Sequence, residues 1–128
     1  MELCMADSKE KKKREYRDMK TLTNSEALIM KCLWDCGGEM PMIRLMDKLN
    51  EVYDKNWKRT TIRTFLFHLE EKEYLKVHRI GRSSFIKQQV SLEQYRQVQA
   101  RKVLDFWYDG SVSVFLEALE KSRSEDFI

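Results

Sequence analysis

The sequence predicts a mostly α-helical protein with one small β-hairpin: a winged helix-turn-helix followed by a C-terminal helical arm for self-association. Three amphipathic helical stretches give way, within about 70 residues, to the two-residue periodicity of paired strands. Positive charge gathers where the third helix and the hairpin fall. The 128-residue chain has 24 Lys and Arg against 21 Asp and Glu, yet residues 58–87 alone hold 8 against 3. Beyond residue 91 the pattern is helical again, with large aromatics on the apolar side.

Residues 1–21 are polar, with Lys11-Lys12-Lys13-Arg14 between Glu10 and Glu15 and no apolar stripe. They read as a charged arm, either a solvated tail or a source of nonspecific phosphate contacts. Thr23-Asn24-Ser25-Glu26 has the capping-box spacing, in which hydroxyl and carboxylate each satisfy an orphan N–H at a helix start. Leu28, Ile29, Cys32, Leu33 and Cys36 supply the apolar stripe, and Gly37-Gly38 ends the helix. Pro41 is expected in the first turn of the second helix, whose apolar face is Met42, Leu45, Met46, Leu49 and Val52 or Tyr53.

The third helix, about Lys58 to Lys72, buries Ile62, Phe65, Leu66 and Leu69. At ~100° per residue these four share one arc, which leaves Thr60, Arg63, Thr64 and Phe67 facing away from it. Strands follow at Leu75, Val77 and Arg79, then from Phe85 to Val90, joined around Ile80-Gly81-Arg82-Ser83. In the C-terminal arm Leu92, Tyr95, Val103, Phe106 and Trp107 form one apolar stripe. Gly110 breaks the chain, and Ser111 caps a short helix whose Val112, Phe115, Leu116 and Leu119 follow i, i+3, i+4, i+7. Two such helices with no further core to cover them predict a twofold partner, hence a homodimer. The expected divisions are an arm at 1–21, a winged-helix domain at 22–90, a dimerisation region at 91–121 and a tail at 122–128.

Several function classes drop out. The start of the chain has no charged segment leading into an apolar run, so no secretory signal is expected, and no apolar run approaches the ~18 residues of a membrane span. Three sparse cysteines fit a reducing cytoplasm. There is no phosphate-cradling glycine loop, HExxH or G-x-S-x-G pattern, so no enzyme is expected. Cys32 and Cys36, one turn apart, could join His68 or His78 in a metal or redox site, but on an apolar stripe Cys behaves as a small hydrophobe. No metal or cofactor is therefore expected.

Beyond these patterns the chain resembles the penicillinase-repressor (BlaI/MecI) family of winged-helix transcription regulators. The resemblance runs from Leu22 to about Lys121. It rests on Leu22-Thr23-Asn24-Ser25-Glu26 with Leu33-Trp34, Thr61-Ile62-Arg63-Thr64, and Glu71-Lys72-Glu73-Tyr74-Leu75. Gly81-Arg82, Val90-Ser91 and Tyr108-Asp109-Gly110-Ser111-Val112-Ser113 extend it. It implies a dimeric repressor on a palindromic double-stranded operator, released through a membrane sensor-protease pathway that detects a signal such as a β-lactam. The family's major-groove helix maps onto Lys58 to Lys72, bringing Thr61 and Arg63 to base edges and Arg59, Thr60 and Thr64 onto or near phosphates. Lys58 adds a further positive charge, and Arg79, Arg82 and Ser84 fall on the wing. The chain departs from the family pattern at Lys58, Phe67 and His68, and Lys102-Val103 stands where the best-known members have a cleavable Asn-Phe bond.

In chemical terms, the fork of Arg63 matches guanine O6 and N7, and Thr61 suits a phosphate or a thymine methyl. Phe67 packs on thymine methyls or shields the wing. The remaining Lys and Arg residues position the protein without reading sequence.

Overall fold

The computed structural model describes residues 19–123. The rest of the charged arm, the end of the tail and Cys4 lie outside the described residues. The elements run α1 (Asn24–Cys36), β1 (Met40–Pro41), α2 (Met42–Tyr53), α3 (Arg59–Glu71), β2 (Leu75–Ile80), β3 (Ser83–Gln88), α4 (Leu92–Tyr108) and α5 (Val112–Ser122). Contacts divide the chain into two units, one ending at Leu92 and the other beginning at Glu93.

In the first unit α1 opens with the expected capping box. Glu26 N–H donates to the Thr23 hydroxyl at 3.2 Å, and Thr23 N–H donates to Glu26 Oε1 at 2.9 Å. Its buried face differs from the expected stripe. Glu26, Ile29, Met30 and Leu33 share an arc of ~100° and are buried, with Cys32 at its edge, whereas Cys36 is exposed. A carboxylate at the centre of that face hid the arc from an apolar count. Gly37, at φ +62°, ends the helix as expected.

Pro41 is not inside the second helix. It holds an extended φ of −64° and ψ of 142° as the residue before Met42. Met40 and Pro41 pair with Ile86 and Phe85, so a two-residue edge strand draws the chain straight before α2 can start. Pro tolerates this place because an edge strand needs no inward N–H. Met42, Leu45 and Leu49 are buried on α2; Tyr53 is half-buried and Val52 is exposed, which settles the alternative at its end.

The sheet is antiparallel in the order β1-β3-β2. The second strand begins at Ser83 and ends at Gln88, not at the expected Phe85 and Val90. The N–H groups of Gln89 and Val90 have already left the ladder for the Tyr74 carbonyl. Trp34 Nε1 donates to the Val90 carbonyl at 2.8 Å, tying α1 to the exit of the hairpin. Ile29, Met30, Leu33, Leu45, Leu49, Ile62, Leu69, Tyr74, Leu75 and Ile86 are the side chains at the centre of this core.

The second unit is thin. Val98 is buried on α4, and α5 has no buried residue. Ser111 caps α5 by accepting from Val114 N–H at 3.3 Å, and Phe115 meets the ring of Tyr108 edge-on at 5.1 Å.

Candidate nucleic-acid interface

Every third or fourth residue of α3 is fixed in the core, so the face opposite is fixed in water. Ile62, Leu66 and Leu69 are buried, whereas Arg59, Thr60, Arg63, Thr64, Phe67 and His68 are exposed. Thr60, Thr64 and Phe67 occupy the centre of the outer face within an arc of ~60°. Arg63 lies on the same flank as Phe67, one turn before it. Thr61 falls about 160° around from Arg63 and is half-buried, so the two residues expected at base edges stand on opposite flanks. The Thr64 hydroxyl donates to the Thr60 carbonyl at 3.0 Å, leaving its methyl and the oxygen lone pairs for other contacts.

The start of α3 carries charge without a side-chain cap. Lys58 is the capping residue, extended at φ −69° and ψ 153°, and makes no capping hydrogen bond, so first-turn N–H groups adjoin the cations of Lys58 and Arg59. Just before it, the Trp57 ring tilts against Phe65 at 5.1 Å, with the Lys55 ammonium 5.8 Å from the Trp57 ring centroid. These rings hold the helix start to its own second turn. The sequence reading missed Trp57; an aromatic just before a capping position was the available signal.

The other end of α3 is tied down by charge. Lys72 Nζ donates to Glu26 Oε1 at 2.6 Å and to the Thr21 carbonyl at 3.0 Å, and the Tyr74 hydroxyl donates to the Lys20 carbonyl. Glu26 is 2% exposed. Burial pushes its carboxyl up, but the hydrogen bonds from Lys72 and Thr23 and the Lys72 charge outweigh that and hold it below its ordinary value. In the sequence Glu26 reads only as a capping residue, because its second partner lies 46 positions away.

On the wing Arg79 faces Ser84 across the ladder, so both share the sheet face of Val77 and Ile86 toward its far end. Arg79, Ile80 and Arg82 are exposed, and Ser84 is half-buried. Gly81 makes the turn at φ +63°. His78 pairs with Glu39 and stacks on Phe85 at 6.1 Å, bracing the hairpin against the segment before β1.

Of the residues expected in dimerisation, Val103, Phe106, Trp107, Val112, Leu116 and Leu119 are exposed, while Leu92, Tyr95 and Phe115 are half-buried. Burial pushes the Tyr95 hydroxyl up. Val114, outside the expected stripe, is exposed as well. The Cys32 thiol is pushed up to about 11 by burial and by Cys36 and Asp35, against an opposing Lys48. Among the described residues no three His, Cys, Asp or Glu side chains gather as a metal site, and no helix is long and apolar enough to cross a membrane.

A helix-turn-helix with a basic, solvent-facing second helix and a basic hairpin beside it defines the winged-helix class of DNA-binding regulators. The fold is similar to the solution structure of the DNA-binding domain of the repressor BlaI, with a TM-score of 0.52 and 22% identity over 60% of this chain and 90% of that one. The family model described as penicillinase repressor matches residues 22–126, and the chain belongs to that family. It is thereby a DNA-binding transcriptional repressor, of a class of regulators rather than enzymes. No curated protein matches the chain.

Proposed function

We propose that this repressor acts in the cytoplasm as a homodimer on a palindromic operator, and leaves it when an upstream sensor-protease pathway of the β-lactam type is triggered. One α3 enters the major groove of each half-site, and the wing lies on the adjoining backbone. The observation that carries this reading is the outer face of α3, where Arg63 and Thr60 stand in solvent, with further exposed cations at Lys58 and Arg59 of the helix start and at Arg79 and Arg82 of the wing. Arg63 reads a guanine. Lys58, Arg59, Thr60, Thr61 and Thr64 contact phosphates and the groove wall, with Arg79, Arg82 and Ser84 on the flanking backbone.

The second unit supports dimerisation. A helix as short as α5 with no buried residue lacks the packing that stabilises helices in water, and a second copy supplies it. At Lys102-Val103 the bond aligned with the family's cleavage point lies inside the continuous helix α4, so proteolytic release there requires local unwinding first.

A gel-shift against the protein's own promoter at rising salt tests the reading. Binding is expected to weaken with a log–log slope of about 0.9 per phosphate neutralised. Arg63→Ala is expected to lose ~1–3 kcal/mol and to relax operator choice. Salt-independent binding, or unchanged binding by the variant, overturns it.

A further inference from the structure

Phe67 is 60% exposed on a helix face that also carries Thr60, Arg63 and Thr64 and, in its last turn, Glu70 and Glu71. An aromatic ring held in water gains nothing for the isolated chain, and the polar surroundings rule out an extension of the core. The exposed ring of His68 lies 6.1 Å from it. The backbone fixes where the ring points, because Ile62, Leu66 and Leu69 lock the rotation of α3.

We infer that Phe67 is a specificity-determining residue that reads the 5-methyl group of a thymine about two base pairs from the guanine read by Arg63. The inference rests on the operator reading above and names a second base within it. Among the four standard bases, the thymine methyl is the apolar group on the major-groove edge. Arg63 and Phe67 are four residues apart on one flank, a rise of ~6 Å, just under two base-pair steps of ~3.4 Å. Thr61 is on the other flank and cannot share that register. Arg63 on the same flank, with Lys58 and Arg59 at the helix start, favours a polyanion along the first turns of α3, while the carboxylates of Glu70 and Glu71 lie beyond Phe67 at the helix end.

The test selects duplexes from a random pool with the full-length chain, then replaces each thymine of the selected site by deoxyuridine, which removes the methyl alone. At one symmetric position, about two base pairs from the preferred guanine, replacement is expected to weaken wild-type binding about fourfold per half-site, the worth of one buried methyl group. Phe67→Ala is expected to bind the thymine duplex more weakly and to be indifferent to the replacement. Phe67→Leu retains part of the preference, and circular dichroism checks that both variants fold. A wild-type protein indifferent to every replacement, or Phe67→Ala retaining the full methyl preference, overturns the inference while leaving the operator reading intact. A pool in which no sequence is enriched overturns the operator reading itself, and this inference with it. Arg63→Ala loses its preference at the guanine in the first two cases, which separates them from the third.

Discussion

Glu26 illustrates at the scale of one residue how a local signal conceals a distant one. Its carboxylate closes the capping box of α1 and simultaneously pairs with Lys72 at the end of α3, 46 positions along the chain. The first role is visible in a four-residue window; the second exists only once the helices are packed. Because its folded value is depressed below 4.5, the pair stabilises the protein above that pH. The contribution is lost as pH falls through the lower folded value. Glu26→Gln keeps a capping acceptor but removes the buried charge that pairs with Lys72, leaving its ammonium the Thr21 carbonyl. It is expected to cost on the order of 2–3 kcal/mol near neutral pH, with a flatter acid limb in urea denaturation curves recorded from pH 7 to 3. An acid limb as steep as that of the wild type would remove Glu26 as its source. Cys32 carries a second prediction. Its thiol, pushed up to about 11, is expected to resist iodoacetamide at pH 8 until the chain unfolds, while exposed Cys36 is alkylated in the native state. Peptide mapping by mass spectrometry distinguishes the two. The sequence treats these cysteines alike as stripe residues, because periodicity counts angle and ignores that Cys36 sits on the last turn, past the reach of the core.

At the scale of elements, long amphipathic stretches were legible and short pairings were not. The rotation of α3 follows from Ile62, Leu66 and Leu69 alone, and so the outer face that forms the proposed interface could be named in advance. The edge strand β1 could not. Two residues carry no period, and the partners Ile86 and Phe85 lie more than 40 positions away. The helix start that local pattern predicts at Pro41 therefore falls one residue later, at Met42. Likewise the hairpin and its first strand follow from alternation and glycine, but the second strand lies two residues earlier than the pattern predicts, because Trp34 and the Tyr74 carbonyl, not local pattern, decide where β3 ends. Gly81 is where the hairpin depends on one residue type. Positive φ at Gly81 and not at Arg82 matches a type II′ turn, and a Cβ built there meets nothing within 4 Å. The penalty for Gly81→Ala is thus conformational, ~1 kcal/mol, and is expected as a lowered denaturation midpoint with an unchanged slope. A neutral effect would mean that the turn relaxes to another type without cost.

For the whole molecule, the first unit is complete in itself and the second is not. The winged helix closes its core around Leu33, Leu45, Leu49 and Leu69, whereas Phe106 and Trp107 remain 74% and 71% exposed with their rings edge-on at 4.7 Å. Periodicity located this stripe, since Leu92, Tyr95, Val103, Phe106 and Trp107 fall within ~120° on α4. What covers it is a second surface, which the periodicity of one chain does not contain. If a second copy covers it, folding of the arm and association are one equilibrium, so thermal stability must depend on protein concentration. A tenfold rise in concentration is expected to favour the folded dimer by about 1.4 kcal/mol per dimer, visible as a rising melting temperature. The double variant Phe106→Ser/Trp107→Ser is expected to sediment as a monomer and to lose that concentration dependence. Its winged helix should keep its circular-dichroism signature in the strand region and bind a single half-site as the wild type does, while affinity for the full palindrome collapses toward the half-site value. A variant that remains dimeric, or a wild-type melting temperature independent of concentration, would show that the apolar face of α4 meets something other than its own copy.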